Sequence, residues 1–143
     1  MSQVKLPSWR QGATRDAIEV FLDAAEMLPE ERRVAVFDVD GTLWCERPHN
    51  PQLQFLVAEL RTAIESRPEL AERPEYRAVL EWDRTAIARL GGVNVVLALA
   101  DLHVGITPEE FDARVRAWFE ASRHPDLRVP WSQTRYRPML ELI

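Results

Sequence analysis

The sequence predicts an α/β fold, and three observations carry that expectation. One short run, Val34-Ala35-Val36-Phe37, has the apolar, β-branched character of a buried parallel strand. It stops abruptly at Asp38-Val39-Asp40-Gly41, a charged cluster of turn-forming residues. Helical periodicities stand before it and fill most of residues 50–121, so the strand reads as part of a core into which a helical region is inserted.

The elements follow in order. After a loop over Met1–Gly12, Thr14 can cap a helix whose apolar positions Ala17, Ile18, Phe21, Leu22 and Ala25 recur at helical spacing, ending at Leu28 and Pro29. The strand Val34–Phe37 comes next. Asn50 then stands as an N-cap with Pro51 at the first helical position, and Leu53, Leu56, Val57, Leu60 and Ile64 share one face. A second helix of this region fits Pro74–Leu90, closed by Gly91-Gly92. Val93–Ala100 suits a strand by its valines and a buried helix by its unbroken apolar length; helix is the favoured choice. Thr107-Pro108-Glu109-Glu110 has the form of a capping box and starts a helix that turns Phe111, Val115, Trp118 and Phe119 inward. Pro138 opens a last helix through Met139, Leu140, Leu142 and Ile143.

Composition narrows the partners. At 46% hydrophobic and 29% charged, 143 residues belong to the folded globular class. A net charge of -5 without a basic stripe argues against nucleic acid and against an anionic membrane surface. No signal-peptide h-region opens the chain, and no stretch approaches the roughly 20 apolar residues of a membrane span, so a cytoplasmic protein is expected. The lone Cys45 cannot form an internal disulfide.

The chemistry sits in Asp38-Val39-Asp40-Gly41-Thr42. Two acids one residue apart, directly after a buried strand, place both carboxylates in the crevice where open α/β sheets bind ligands. A carboxylate there can attack phosphorus to give an aspartyl-phosphate, and the anions it brings together call for a cation such as Mg²⁺. The second acid can protonate the departing alkoxide and later deprotonate water. Gly41 lets the backbone turn closely around a phosphate, the amides near Val39 and Asp40 can form an anion-binding nest, and Thr42 supplies a hydroxyl. The bland alternative is a hairpin turn at Asp-Gly, and on the residues alone the two stand about even.

Asp-Val-Asp-Gly-Thr-Leu-Trp after an apolar strand resembles the first motif of the haloacid dehalogenase superfamily. The preceding helix, the continuation Trp44-Cys45-Glu46-Arg47-Pro48 and the segment Tyr136-Arg137-Pro138-Met139 are similar to a bacterial subgroup related to phosphoserine phosphatase. The resemblance implies a Rossmann-like core with a helical cap: residues 1–46 as the core's first part, 47–125 as the cap that excludes water and chooses substrate, and 126–143 as the return to the core. It makes Asp38 the nucleophile and a magnesium ligand, and Asp40 the acid/base whose carbonyl also ligates magnesium. Val39, Gly41 and Thr42 would hold the phosphate. Glu46 lies near the place of a substrate-recognising acid, with a solvated surface acid as the plain alternative. The substrate would be a small phosphorylated metabolite. Asp40 favours phosphate chemistry over dehalogenation, and the absence of a lysine after Asp38 disfavours the transport-ATPase branch.

The same resemblance implies a Ser or Thr after a second strand, then a lysine and one or two further metal-binding acids, all beyond the helix at Pro138. None is present there, and the only lysine is Lys5. A shortened core is therefore expected, inactive alone and completed by a complementary C-terminal half or a second copy. The competing class is a non-enzymatic fragment whose helices bind a partner. A third reading, a helical interaction module with a chance loop, predicts no magnesium binding. His49, His103 and His124 occupy separate loop-like positions without metal-ligand spacing and are expected to be structural or surface residues. Trp9, Trp82, Trp118 and Trp131 are expected to pack helices, Trp44 to shape the rim of the loop, and Cys45 to be a buried apolar residue.

Overall fold

The computed structural model describes residues 6–143. Met1–Lys5, which include the start of the expected N-terminal loop and the lysine, lie outside the described residues. The chain divides into two units, Met1–Arg47 with Ser132–Ile143, and Pro48–Trp131.

In the second unit, α2 spans Pro51–Ser66, α3 Pro74–Leu80, α4 Arg84–Leu90, α5 Gly92–Ala100 and α6 Pro108–Ala121. Local chemistry starts most of them. The Asn50 side chain accepts from the Leu53 amide at 2.9 Å, and Pro51 needs no hydrogen bond at the first turn. Thr107 and Glu110 close a reciprocal box: the Glu110 amide donates to Thr107 Oγ1 at 3.2 Å and the Thr107 amide to Glu110 Oε2 at 2.8 Å. The stretch Val93–Ala100 is helical within α5, where Val95, Ala98 and Leu99 are buried at the spacing of one helix face. Those residues meet Val57 and Leu60 of α2 and Tyr76 and Val79 of α3 in one apolar core. The Tyr76 hydroxyl donates to the Ala98 carbonyl at 2.7 Å, which satisfies the polar end of a ring that is 1% exposed.

The expected single helix over Pro74–Leu90 is two. Asp83 starts α4 by accepting from the Ala86 amide at 2.9 Å, and Trp82, at φ 54, turns the chain between α3 and α4. A tryptophan pays for that left-handed backbone, and here its indole lies flat on His49, with ring centroids 3.6 Å apart and planes 5° from parallel.

His103 packs against Phe55 and Phe111, and His124 accepts from the amides of Asp126 and Leu127 beside Trp131. The histidines therefore serve the packing of loops.

In the first unit, α1 spans Ala13–Glu26 and α7 Arg137–Leu142. Gly12, not Thr14, precedes α1, and its cap carries no side-chain hydrogen bond. At the other end Arg33 caps the helix, its guanidinium donating to the carbonyls of Glu26 and Leu28 at 2.8 Å each. The N-terminal segment is tied to α7: Ser8 donates through amide and hydroxyl to Glu141, and the Trp9 indole donates to the Pro138 carbonyl.

The α/β expectation is overturned. Among the described residues there is no β-strand and no sheet, only isolated bridges, so no Rossmann-like core is present. Val34 and Val36, read as a buried strand, are 81% and 92% exposed. The physical reason is pairing: β-branched residues favour a strand only where a neighbouring strand can take their backbone hydrogen bonds, and no second segment here does so. The apolar face expected of α1 is only partly covered: Ile18, Leu22 and Ala25 are half-buried, and no residue of that helix is fully buried.

Burial, and then the Arg84 charge, hold His49 below its ordinary value of 6.5. A base with a lowered folded value binds its proton more readily when unfolded, so stability is complete above pH 6.5 and is lost as the pH falls through and below that value. Urea denaturation of the chain across pH 5 to 8 is expected to show this loss, and His49→Phe, which keeps a ring on Trp82, to flatten it. An unchanged slope in His49→Phe would remove His49 as its source.

Candidate functional site

The loop after Phe37 is built by one carbonyl. Val39 C=O accepts from the amides of Thr42 at 3.2 Å, Leu43 at 2.8 Å and Trp44 at 3.4 Å, and the Gly41 amide returns to the Trp44 carbonyl at 3.0 Å. Such a tight winding needs a residue that tolerates the left-handed region, and Gly41 sits at φ 76. A side chain there would also meet the Glu46 carboxylate, whose nearest atoms lie 3.1 Å from the position of a Cβ. Glu46 therefore folds back over the loop, close to Gly41.

The loop is held from its far side by residues 134–136. The Cys45 amide donates to the Thr134 carbonyl at 3.1 Å and the Tyr136 amide to the Leu43 carbonyl at 2.9 Å, which brackets an antiparallel bridge between Trp44 and Arg135. Tyr136 lies beside Cys45. Burial pushes its phenol up, and the charges of Cys45 and Glu46 add to the rise. The Cys45 sulfur itself is half-buried and directed at the Arg47 carbonyl at 3.6 Å.

Each acid of the loop has its own donor. The Thr42 hydroxyl donates to Asp38 Oδ2 at 3.0 Å. The Trp44 indole N–H donates to Asp40 Oδ1 at 2.7 Å, a short charge-assisted bond. Glu46 has the guanidinium of Arg47 at 3.7 Å. Asp38 and Asp40 are both exposed to solvent. Asp38, Asp40, Gly41, Thr42 and Glu46, singled out in the sequence, thus belong to one loop, and Val39 contributes the carbonyl around which it winds. Trp44, read from sequence as a rim residue, is a direct partner of Asp40. Its four-residue offset from an acid is too common a spacing to have signalled that.

No family model and no curated protein matches the chain.

No group of three His, Cys, Asp or Glu side chains that could hold a metal ion occurs among the described residues. Asp38 and Asp40 nevertheless offer hard oxygen donors on one exposed loop. That donor chemistry fits Mg²⁺, which often takes only one or two carboxylates and fills its remaining positions with water and substrate phosphate.

Gly41→Ala is expected to destabilise the first unit by about 1–2 kcal/mol from its backbone alone. The added methyl must also displace Glu46. In chemical denaturation, the double variant Gly41→Ala with Glu46→Ala is expected to recover only part of the loss. Full recovery would mean that crowding, not the left-handed backbone, requires the glycine.

Proposed function

We propose that this chain carries the phosphoryl-accepting loop of a magnesium-dependent phosphohydrolase of the haloacid dehalogenase type, acting on a small phosphomonoester. The observation that supports it best is the pairing of an exposed Asp38 oriented by Thr42 with an Asp40 oriented by Trp44, on a loop wound tightly at Gly41. Asp38 is the nucleophile. Its carboxylate forms a bond to phosphorus as the ester P–O bond breaks, and Asp40 gives its proton to the departing alkoxide. Asp40 then takes a proton from water, which attacks the aspartyl-phosphate, frees inorganic phosphate and restores Asp38. Magnesium held by Asp38 and Asp40 would neutralise charge on the phosphoryl oxygens.

Among the described residues, fixed positive charge at the loop is limited. Residues 6–143 contain no lysine. Of the arginines adjoining the loop, Arg47 is paired with Glu46, and Arg135 donates through Nε to the Ser132 carbonyl. Uncatalysed monoester hydrolysis is among the slowest of biological reactions, needing accelerations of up to about 10²¹. Two carboxylates and a hydroxyl cannot supply that, so the chain alone is proposed to be inactive toward monoesters until a complementary chain or second copy adds cationic groups.

A non-enzymatic reading, in which the chain binds a partner, is favoured by one observation: Phe21, Val34 and Val36 are all largely exposed in the first unit. Beryllofluoride, which mimics a phosphoryl group on a carboxylate, separates the two. With Mg²⁺ and beryllofluoride together, the amide resonances of Val39–Thr42 are expected to shift in the wild type and not in Asp38→Asn. Turnover of p-nitrophenyl phosphate by the same wild-type sample is expected to be no greater than that of Asp38→Asn. A wild-type loop unmoved by saturating Mg²⁺ and beryllofluoride would leave only the non-enzymatic reading.

A further inference from the structure

We infer that Trp44 is a positioning residue for phosphoryl transfer, aiming the Asp40 carboxylate through its indole N–H; the inference rests on the phosphohydrolase reading. Three features of the loop carry it. The bond is short, at 2.7 Å, and its acceptor is an ionisable carboxylate. An indole N–H donates in one direction and accepts nothing, so it can neither take the proton that Asp40 moves nor reverse the polarity of the bond as Asp40 changes its protonation. A hydroxyl, amide or imidazole in its place could do one or the other. The backbone that carries the indole is, finally, held from both sides. Trp44 is paired through one bridge to Asp40 and through a second to Arg135, and the hydrogen bonds of that second bridge flank it at Leu43 and Cys45. A donor carried on a backbone anchored in this way meets the Asp40 side chain from a set place.

The chemical consequence is specific. An acid/base must present one oxygen to the ester oxygen in the first half of the reaction and to water in the second, and a carboxylate that swings loses both alignments. The indole commits Oδ1 and so orients the carboxylate plane. It does this without itself bringing a positive charge to Asp40. Arg47 does the opposite at Glu46, placing a guanidinium at 3.7 Å from that carboxylate.

The test compares Trp44→Phe and Trp44→Gln with the wild type in the full chain, following Val39–Thr42 resonances as Mg²⁺ and beryllofluoride are added. Trp44→Phe keeps an aromatic ring on the loop and deletes the donor; Trp44→Gln deletes the ring and keeps an N–H. In the wild type alone, the Trp44 indole N–H resonance should also move on Asp40→Asn, which reads the bond without any ligand. Trp44→Phe is expected to bind the phosphoryl mimic roughly ten-fold more weakly. Trp44→Gln should recover part of that loss, which a purely packing role for the ring would not allow. A wild-type response equalled by Trp44→Phe overturns the role of Trp44 and leaves the phosphohydrolase reading standing. Absence of any wild-type response overturns that reading, and the role of Trp44 with it.

Discussion

Two backbone hydrogen bonds, Cys45 N–H to Thr134 C=O and Tyr136 N–H to Leu43 C=O, govern the geometry of the first unit. They join residues far apart in sequence, so their formation must offset the entropy of closing a long loop, a cost that grows only slowly with the length enclosed. Before residues 43–45 the chain closes a tight turn: Val39 C=O gathers the amides of Thr42, Leu43 and Trp44, and Gly41 takes the left-handed backbone. Within that turn the Thr42 hydroxyl meets Asp38 and the Trp44 indole meets Asp40.

Three carboxylates on one short loop repel one another, and the loop treats them differently. Glu46 has the guanidinium of Arg47, Asp38 the hydroxyl of Thr42, and Asp40 the indole of Trp44 among its partners. A neutral hydrogen bond orients a carboxylate and stabilises its ionised form but does not cancel its charge. Glu46, by contrast, lies over Gly41 beside the Arg47 guanidinium.

Helices were legible in the sequence where a side chain closes a local hydrogen bond. Asn50 with Pro51, and Thr107 with Glu110, announce α2 and α6 because capping depends on residues three apart in sequence. The break between α3 and α4 was not legible, because it depends on Trp82 accepting a left-handed backbone against His49, a partner remote in sequence. Val34–Phe37 failed as a strand for a related reason: its composition states a preference for pairing, and pairing requires a neighbour that composition cannot supply. The loop acids were legible from their spacing. Trp44 as the donor to Asp40 was not, since the indole reaches Asp40 only after the chain has turned at Gly41 and been fixed by residues 134–136.

The most direct measurement is covalent. Acetyl phosphate releases acetate, which needs no proton, and transfer to Asp38 exchanges one acyl phosphate for another, so this step demands far less of the loop than cleavage of a monoester. Incubated with acetyl phosphate and Mg²⁺, the chain should gain the mass of one HPO₃, located on Asp38 by peptide mass spectrometry, removed by hydroxylamine, and absent from Asp38→Asn. A chain that never gains that mass, or gains it equally in Asp38→Asn, would contradict Asp38 as the phosphoryl acceptor.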